Sequence, residues 1–405
     1  LNILFLSRWF PYPPDNGSRI RIFNLLKSLS RRHSVSLLSF VEQPPSPVQL
    51  QALQPYCKTV ETVPYHPFQP GRARALLGYL SPQPRSVLDT FSPELQQKLH
   101  RMLNARPFDV VIASQIDMAL YAAPLTGVRK IFEEIELTTL HEKFTRQTHP
   151  LKKWRSRLTW WKLTRYVNQL LPQFDACTVV SAPEQARLQT IVPGYSAITV
   201  VPNGVDTRHH IPGLAQPQPD TLIYSGALTY NANFDAVDYF LRRIFPLILA
   251  ERPTARLFVT GKLNGVPLDR LPKNKAVTFT GYLDDIRPKI AASWVNVVPL
   301  RLGGGTRLKV LESLALGTPV VATPKGAEGL DLAPGRDWLP GRTPAEFAAA
   351  VLRLLADPQL RASLSRAGRQ TVEQKYGWDS IGEQFTAFVE QVAAGRVKEA
   401  MSWNG

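Results

Sequence analysis

Cysteine is almost absent: only Cys57 and Cys177 occur in 405 residues, at no metal-ligand spacing. That excludes a disulfide scaffold and a zinc ribbon, and it fits a reducing cytoplasm. Long apolar runs are missing too. Nowhere do roughly eighteen apolar residues follow one another, so no span across a bilayer is expected. Ile3–Leu6 is too short for the apolar core of a signal peptide and Arg8 follows at once, so no secretory leader is expected. Acidic side chains are scarce, 32 against 48 Lys+Arg, for a net charge of +16. No recognisable DNA or RNA motif accompanies that excess, so nucleic acid is not an expected partner. What remains is ordinary globular material, 44% hydrophobic and 20% charged, long enough for two or three domains.

Short apolar runs alternate with helical stretches. Asn2–Ser7, Ser34–Phe40, Asp109–Ala113 and Ala176–Val180 read as buried parallel strands, and Ile20–Leu29 as the helix after the first loop. A second series starts at Leu222 and continues at Arg256–Thr260, Val277–Thr280, Trp294–Val298 and Pro319–Ala322. Between them, His209–Asp220 is polar and Pro-rich and reads as a linker. The fold class is therefore α/β: two doubly wound, Rossmann-like halves with a cleft between them and ligands outside the carboxyl ends of strands. The expected organisation is 1–205, 206–375 and 376–405. Trp378–Ala394 is amphipathic, with Ile381, Phe385, Phe388 and Val392 on one side. Gln43–Pro70 carries no periodicity and reads as loop.

The most informative stretch is Pro299–Ala322: strand end, triple-glycine loop, helix, tight turn, strand. Gly303, Gly304 and Gly305 let backbone approach a ligand closely. Thr306 and Arg307 are expected to open the helix, with Leu308, Leu311 and Ala315 on one face. The first N–H groups of that helix have no partner inside it and carry the positive end of its dipole, so the loop is a natural diphosphate seat. Glu312, two turns in, could accept from ribose hydroxyls. The competing reading is a plain βαβ unit with a surface pair between Lys309 and Glu312, worth only about 0.2–0.5 kcal/mol. The loop is neither a Walker loop nor a Gly-x-Gly-x-x-Gly fingerprint.

This segment resembles the donor-site signature of the retaining family-four glycosyltransferases of GT-B fold. Glu312 matches the second glutamate of their Glu-x7-Glu pattern, and Gly317, Pro319, Val320, Val321 and Ala322 match its tail. The similarity runs along nearly the whole chain: Asn2–Ser7 and Pro11–Gly17 at the first strand and loop, Thr199–Asp206 at the approach to the second domain, then Ile223–Gly226, Leu257–Gly261, Val277–Tyr282 and Tyr376–Trp378. The resemblance implies an acceptor-side first domain, a nucleotide-sugar-binding second domain and a C-terminal crossover helix returning to the first. It implies transfer of a sugar from a nucleoside diphosphate sugar to a hydroxyl acceptor, a glycan, polysaccharide precursor or lipid-linked molecule, with retention of configuration. Rival readings are a nucleotide-sugar epimerase-like enzyme and a non-catalytic nucleotide- or carbohydrate-binding relative.

Carried over residue by residue, the resemblance leaves gaps. The first glutamate of the pair falls on Gly304. The loop Gly226–Asp235, which includes Asn233, has no cation where the family places Arg and Lys. Arg307 and Lys309 are expected to neutralise the diphosphate instead, Arg307 as the better fork for phosphate oxygens; Lys309 alternatively turns to Glu312 or solvent. Donor contacts are expected from Gly17, Gly226, Asn233, Gly281, Tyr282, Gly304, Gly305, Thr306, Arg307, Lys309 and Glu312, with Gly281 and Tyr282 near the base. Ser114 or Gln115 stands where the family commonly has a histidine. The acidic run Glu133, Glu134 and Glu136 supplies a base or acceptor contact, or else is a solvated turn. Arg307, Gln115 and Glu134 are the catalytic candidates. A lone His141 reads as structural. No metal-binding carboxylate motif appears, so no metal and no cofactor beyond the nucleotide sugar as substrate is expected.

Charge is uneven: residues 1–200 hold 24 Lys+Arg against 13 Asp+Glu (+11), the remainder 24 against 19 (+5). Leu151–Tyr166 concentrates six of the basic residues with no acid, interleaved with Trp154, Trp160 and Trp161. It reads either as a helix for an anionic membrane surface or as a packing helix with core tryptophans. A cytoplasmic protein, peripheral on the inner membrane face, is the expected location.

Overall fold

The computed structural model describes residues 1–396 except 136 and 146–148, with the side chains of 138–140 and 143 left out. Glu136 and the tail 397–405 lie outside the described residues. The chain divides into two compact units, Leu1–Asn203 with the helix from Ile381 onward, and Gly204–Ser380.

The first unit holds seven strands: β1 (Asn2–Ser7), β2 (Ser34–Val41), β3 (Thr59–Pro64), β4 (Val110–Ser114), β5 (Arg129–Glu133), β6 (Ala176–Val179) and β7 (Ile198–Val200). They form one parallel sheet in the order β3-β2-β1-β4-β5-β6-β7. Ile3, Leu4, Phe5 and Leu6 are all fully buried, as expected for a parallel strand covered on both faces. The second unit repeats the plan with β8 (Gln218–Ser225), β9 (Arg256–Thr260), β10 (Val277–Gly281), β11 (Ser293–Val298), β12 (Val320–Ala322) and β13 (Leu339–Pro340), ordered β10-β9-β8-β11-β12-β13. Each sheet reverses direction of winding once, between β1 and β4 and between β8 and β11. Residues just past those four strand ends sit at topological switch points, where doubly wound sheets bind ligands.

Gln43–Pro70 is not loop. Pro47–Leu53 is a helix and Thr59–Pro64 is the edge strand β3. Ser46 accepts from the Gln49 N–H while the Gln49 side chain returns a bond to the Ser46 N–H, and Pro47 takes the first helical position. Seven residues are too few to show a helical period, but the capping pair was readable. The stretch His209–Asp220 belongs to the second unit: Arg287 donates to the His209 carbonyl at 2.9 Å and β8 begins at Gln218. The last helix, Trp378–Ala393, buries Ile381, Phe385, Phe388 and Val392. Its Gly382 lies so close to Ser28 of the first unit that no side chain would fit.

Candidate functional site

In the second unit, three strand ends crowd together through glycine. Gly226 follows β8 at φ 150°, Gly261 follows β9 at φ 122° and Gly281 ends β10 at φ 73°. A Cβ on Gly261 would meet the Gly226 carbonyl at 2.6 Å, so only glycine allows these turns to touch. The Gly261 N–H donates to the Gly281 carbonyl at 2.9 Å. Tyr282 follows, 63% exposed, its ring 5.7 Å from Lys262 Nζ.

The helix after the triple-glycine loop spans Leu308–Ala315. It starts later than expected: Arg307 is its N-cap at φ −81°, ψ 64°. Leu311, Leu314 and Ala315 are buried against β11 and β12, which sets the opposite face toward the Gly226 turn. Ser313 Oγ and Asn296 Nδ2 both donate to the Lys309 carbonyl, at 2.8 and 3.2 Å, and hold that residue's backbone.

Lys309 turns to the Gly226 turn and not to Glu312. Its Nζ donates to Tyr224 Oη at 3.0 Å and to Asn233 Oδ1 at 3.0 Å, and lies 4.2 Å from the centre of the Tyr224 ring. Asn233 is itself fixed, donating to the Ala227 carbonyl at 2.9 Å and accepting from Tyr224 Oη at 2.7 Å. A Cβ on Gly226 would come within 2.7 Å of the Lys309 ammonium. The cation missing from the Gly226–Asp235 loop is thus delivered to that loop from the helix. Desolvation, then the nearby Arg307 charge, lowers the Lys309 pKa to about 7, with Glu312 opposing.

The Glu312 side chain, one turn on, makes no hydrogen bond or ion pair among the described residues. Burial raises its pKa; the His210 and Lys309 charges oppose that. A desolvated carboxylate with open acceptor sites is an arrangement that a ligand hydroxyl can complete.

Arg307 departs from expectation. Its buried guanidinium turns back into the loop, donating to the Gly303 carbonyl (2.6 Å), the Gly304 carbonyl (2.8 Å) and the Lys325 carbonyl (3.1 Å), with Glu328 at 3.4 Å. The fork is committed to its own backbone, so the side chain braces the glycine loop. Gly303 sits at φ 99°, where a Cβ would press on Tyr230 Oη at 3.1 Å and Ala232 Cβ at 3.2 Å; Gly305 sits at φ 78°. The Thr306 carbonyl accepts from the Leu308 N–H at 3.0 Å, which turns the chain into the helix.

In the first unit, residues past β1, β4 and β5 converge. Gln115 Nε2 lies 3.2 Å from Ser18 Oγ and 3.2 Å from Glu134 Oε2. Gln115 and Glu134 both hold positive φ, 70° and 60°, rare for such residues and costing of order 1–3 kcal/mol each. Gly17 opens the adjacent helix Gly17–Leu29, capped by Asn16, whose side chain accepts from the Arg19 N–H at 3.1 Å. Ser114 is excluded from this cluster: its Oγ donates to Glu133 Oε2 at 2.6 Å inside the core. Glu133 in turn receives Arg21 Nε at 2.5 Å, both side chains fully buried. Of the acidic run, Glu133 is therefore structural, and Glu134 stands beside Gln115. His141 packs edge-on against Trp160 with centroids 5.0 Å apart, and burial lowers its pKa.

The chain matches two family models: Glycosyltransferase Family 4 over residues 15–209 and Glycosyl transferases group 1 over residues 219–357. It belongs to the family-four, group 1 glycosyltransferases. One relative is the GDP-mannose-dependent monoacylated alpha-(1-6)-phosphatidylinositol monomannoside mannosyltransferase of Corynebacterium glutamicum, 24% identical over 54% of this chain. The chain spans 62% of that relative's length. Among solved structures, sucrose-phosphate synthase from Thermosynechococcus elongatus superposes with a TM-score of 0.68 at 16% identity, covering 97% of this chain and 100% of that one. HepE of Anabaena, solved with UDP and glucose, superposes with a TM-score of 0.64 at 16% identity over 96% of this chain and 99% of that one. The fold is GT-B.

Sequence reasoning missed Tyr224 and Arg21. A tyrosine inside an apolar strand reads as core, and Tyr224 is core; its hydroxyl is nevertheless the ledge on which Lys309 rests. Arg21 lies at helical spacing among Ile20, Ile22 and Leu25 with nothing local to mark it as buried.

Proposed function

We propose that this protein transfers a sugar from a nucleoside diphosphate sugar to a hydroxyl acceptor, with retention at the anomeric carbon by family resemblance. The observation that carries the reading is Lys309. Its desolvated amine is held against the glycine turn where a diphosphate would bring two negative charges, and Glu312 waits unpaired one turn away.

The acceptor oxygen forms its bond to the anomeric carbon as the bond from that carbon to the phosphate oxygen breaks. The electron pair leaves with the nucleoside diphosphate, and the acceptor's proton passes to the departing phosphate. Lys309, beside the positive end of helix Leu308–Ala315, stabilises the charge that gathers there, whereas the Leu308 and Val310 N–H groups are spent on the Thr306 and Arg307 carbonyls. Arg307 keeps the glycine loop in shape and so acts through position. Glu312 takes the ribose hydroxyls, and the backbone near Gly281 and Tyr282 the base. In the first unit, the Ser18–Gln115–Glu134 cluster offers hydrogen-bonding groups for an acceptor hydroxyl. Positive charge at the diphosphate comes from the protein in this reading, so no metal is required.

Glu312→Gln tests the site. The folded protein raises this carboxyl's pKa, so ionising it costs stability that is lost as pH rises from the ordinary glutamate range (about 4.3) upward. The ligand-free variant should therefore melt no lower than the parent at pH 7.5. Its thermal shift with UDP-glucose or GDP-mannose should shrink, since fewer acceptors hold the ribose. An undiminished shift with both probes sinks the assignment.

The finer reading includes a lipid-bearing acceptor and an anionic membrane surface. No helix among the described residues is long and apolar enough to cross a membrane. Helix Pro150–Leu170 supports surface attachment: Trp154 is 67% and Trp161 53% exposed, so two of its three tryptophans lie outside the core. Co-sedimentation with vesicles should require phosphatidylglycerol and fade with salt. Binding to pure phosphatidylcholine of equal strength would remove this part.

A further inference from the structure

One apolar surface lies outside the residues the sequence singled out. Helix Ala73–Leu77 and the turn after it expose Leu76, Leu77, Tyr79 and Leu80, the last at 89%. Four large apolar side chains in five residues, on a soluble face, form a patch that calls for a partner. The turn is not loose. Arg85 donates to the Ala75 carbonyl at 2.7 Å, the Pro70 carbonyl at 2.8 Å and Tyr79 Oη at 2.7 Å, and its guanidinium lies 3.8 Å from the Tyr79 ring centre.

The turn is also fastened to the basic helix. Lys162, one of the six cations of Leu151–Tyr166, is buried, and its Nζ donates to the Gly78 and Tyr79 carbonyls at 2.9 and 3.0 Å. The remaining five, Lys152, Lys153, Arg155, Arg157 and Arg165, share their helix with exposed Leu151, Trp154 and Trp161. Beneath the turn, a groove of about 730 Å³ is lined by Leu77, Val87, Leu88, Phe91, Leu120 and Leu170, with Arg74 at it too. From His66 to Leu88, and again from Pro150 to Leu170, the sequence has no carboxylate. Arg72 is paired with Asp89 at 3.8 Å, but the apolar wedge stands beside the five remaining cations of helix Pro150–Leu170, a combination complementary to an anionic lipid surface.

We infer that the Leu76–Leu80 turn is a second membrane-inserting element, clamped by Lys162 to helix Pro150–Leu170 so that both enter one anionic bilayer. This rests on the membrane reading of that helix and deepens it. Two contacts fix orientation as well as attachment, since a single helix lying on the surface leaves the protein free to roll about its axis.

Leu80→Cys gives a direct readout, because the native Cys57 and Cys177 are buried and burial pushes both thiols up, Cys57 to about 12. The full chain, labelled at this position with an environment-sensitive fluorophore, should shift to the blue on phosphatidylglycerol-containing vesicles and be quenched by bromine on the acyl chains. The same label at Leu247→Cys in the second unit should show neither. Leu77→Asp/Leu80→Asp should weaken vesicle binding about tenfold or more while the thermal shift with UDP-glucose or GDP-mannose stays at the parent's value. If Trp154→Ser/Trp161→Ser abolishes binding but the double aspartate variant binds like the parent, the inference fails and the helix reading stands. If the Leu80 label stays in water while the protein sediments, the inference fails likewise. Loss of anionic dependence in the parent overturns both.

Discussion

Binding of a nucleoside diphosphate sugar at pH 8 should draw close to one proton out of solution. Lys309 is largely neutral at that pH, its pKa having been lowered to about 7 by desolvation among Tyr224, Asn233 and the Gly226 turn. Two phosphate charges arriving beside it favour the ammonium and raise that pKa again. Neither phosphate of a nucleotide sugar titrates in this range, so the uptake reports the protein. Affinity should therefore fall as pH rises from 7 to 9, with a limiting slope of about tenfold per unit. Calorimetry in buffers of different ionisation heat measures the uptake directly. In Lys309→Met it should vanish, the pH profile should flatten, and affinity at pH 7 should drop about ten- to 150-fold, the worth of a charge-assisted bond of about 1.5–3 kcal/mol. The ligand-free protein carries the complementary sign. Its unfolded chain binds more protons between pH 7 and about 10.4, so Lys309 costs stability that returns as pH rises through that window. Lys309→Met should accordingly raise the neutral-pH melting point of the free protein while lowering its shift with ligand. No proton uptake in the parent would mean the phosphates sit elsewhere.

The strands and the glycine loop were legible because each is a local pattern. A strand buried on both faces must be continuously apolar, and Asn2–Ser7 or Trp294–Val298 can be little else; Gly303–Gly305 announces a close approach by the side chains it lacks. Which way a charged residue turns is not local. Lys309 and Glu312 are three residues apart and look like a surface pair, yet the group that captures Lys309 is Tyr224, 85 residues earlier. Arg307 reads as a phosphate fork until its loop is folded around it, when three carbonyls of its own neighbourhood prove nearer. Helix Pro47–Leu53 failed a periodicity test that seven residues cannot pass, though its cap was plain. The exposed turn at Leu76–Leu80 carries no mark in the sequence, because three leucines in five residues do not tell a core face from an exposed one. Gln115 was singled out by the family resemblance and Glu134 by its acidic run, whereas their positive φ, which marks them as a constrained pair, belongs to the backbone alone.

The largest effect on stability should come from Arg21, outside every motif. Its Nε meets Glu133 Oε1 at 2.5 Å across 112 residues of sequence, and its Nη1 donates to the Val201 and Pro202 carbonyls at 2.9 and 3.1 Å and to Asn203 Oδ1 at 3.1 Å. Ser114 completes the Glu133 carboxylate from the other side. One guanidinium thus joins the first helix, the end of β5 and the last residues of the first unit. Arg21→Met keeps the apolar stem but leaves the buried Glu133 side chain without its cation, which costs about 3–5 kcal/mol in comparable sites. For a unit of this size that corresponds to a fall of roughly 6–20 °C in the melting of the first unit. The pairing itself is worth far less than its rupture, because both ions gave up water to form it. Arg21→Met/Glu133→Met should therefore recover most of the loss, and a double variant no more stable than Arg21→Met would show that the carbonyl contacts at Val201 and Pro202, not the ion pair, hold this junction. The recovered protein would still leave Gln115 and Glu134 in place, since the Glu134 N–H donates to Thr178 Oγ1 at 3.1 Å and not to the buried pair.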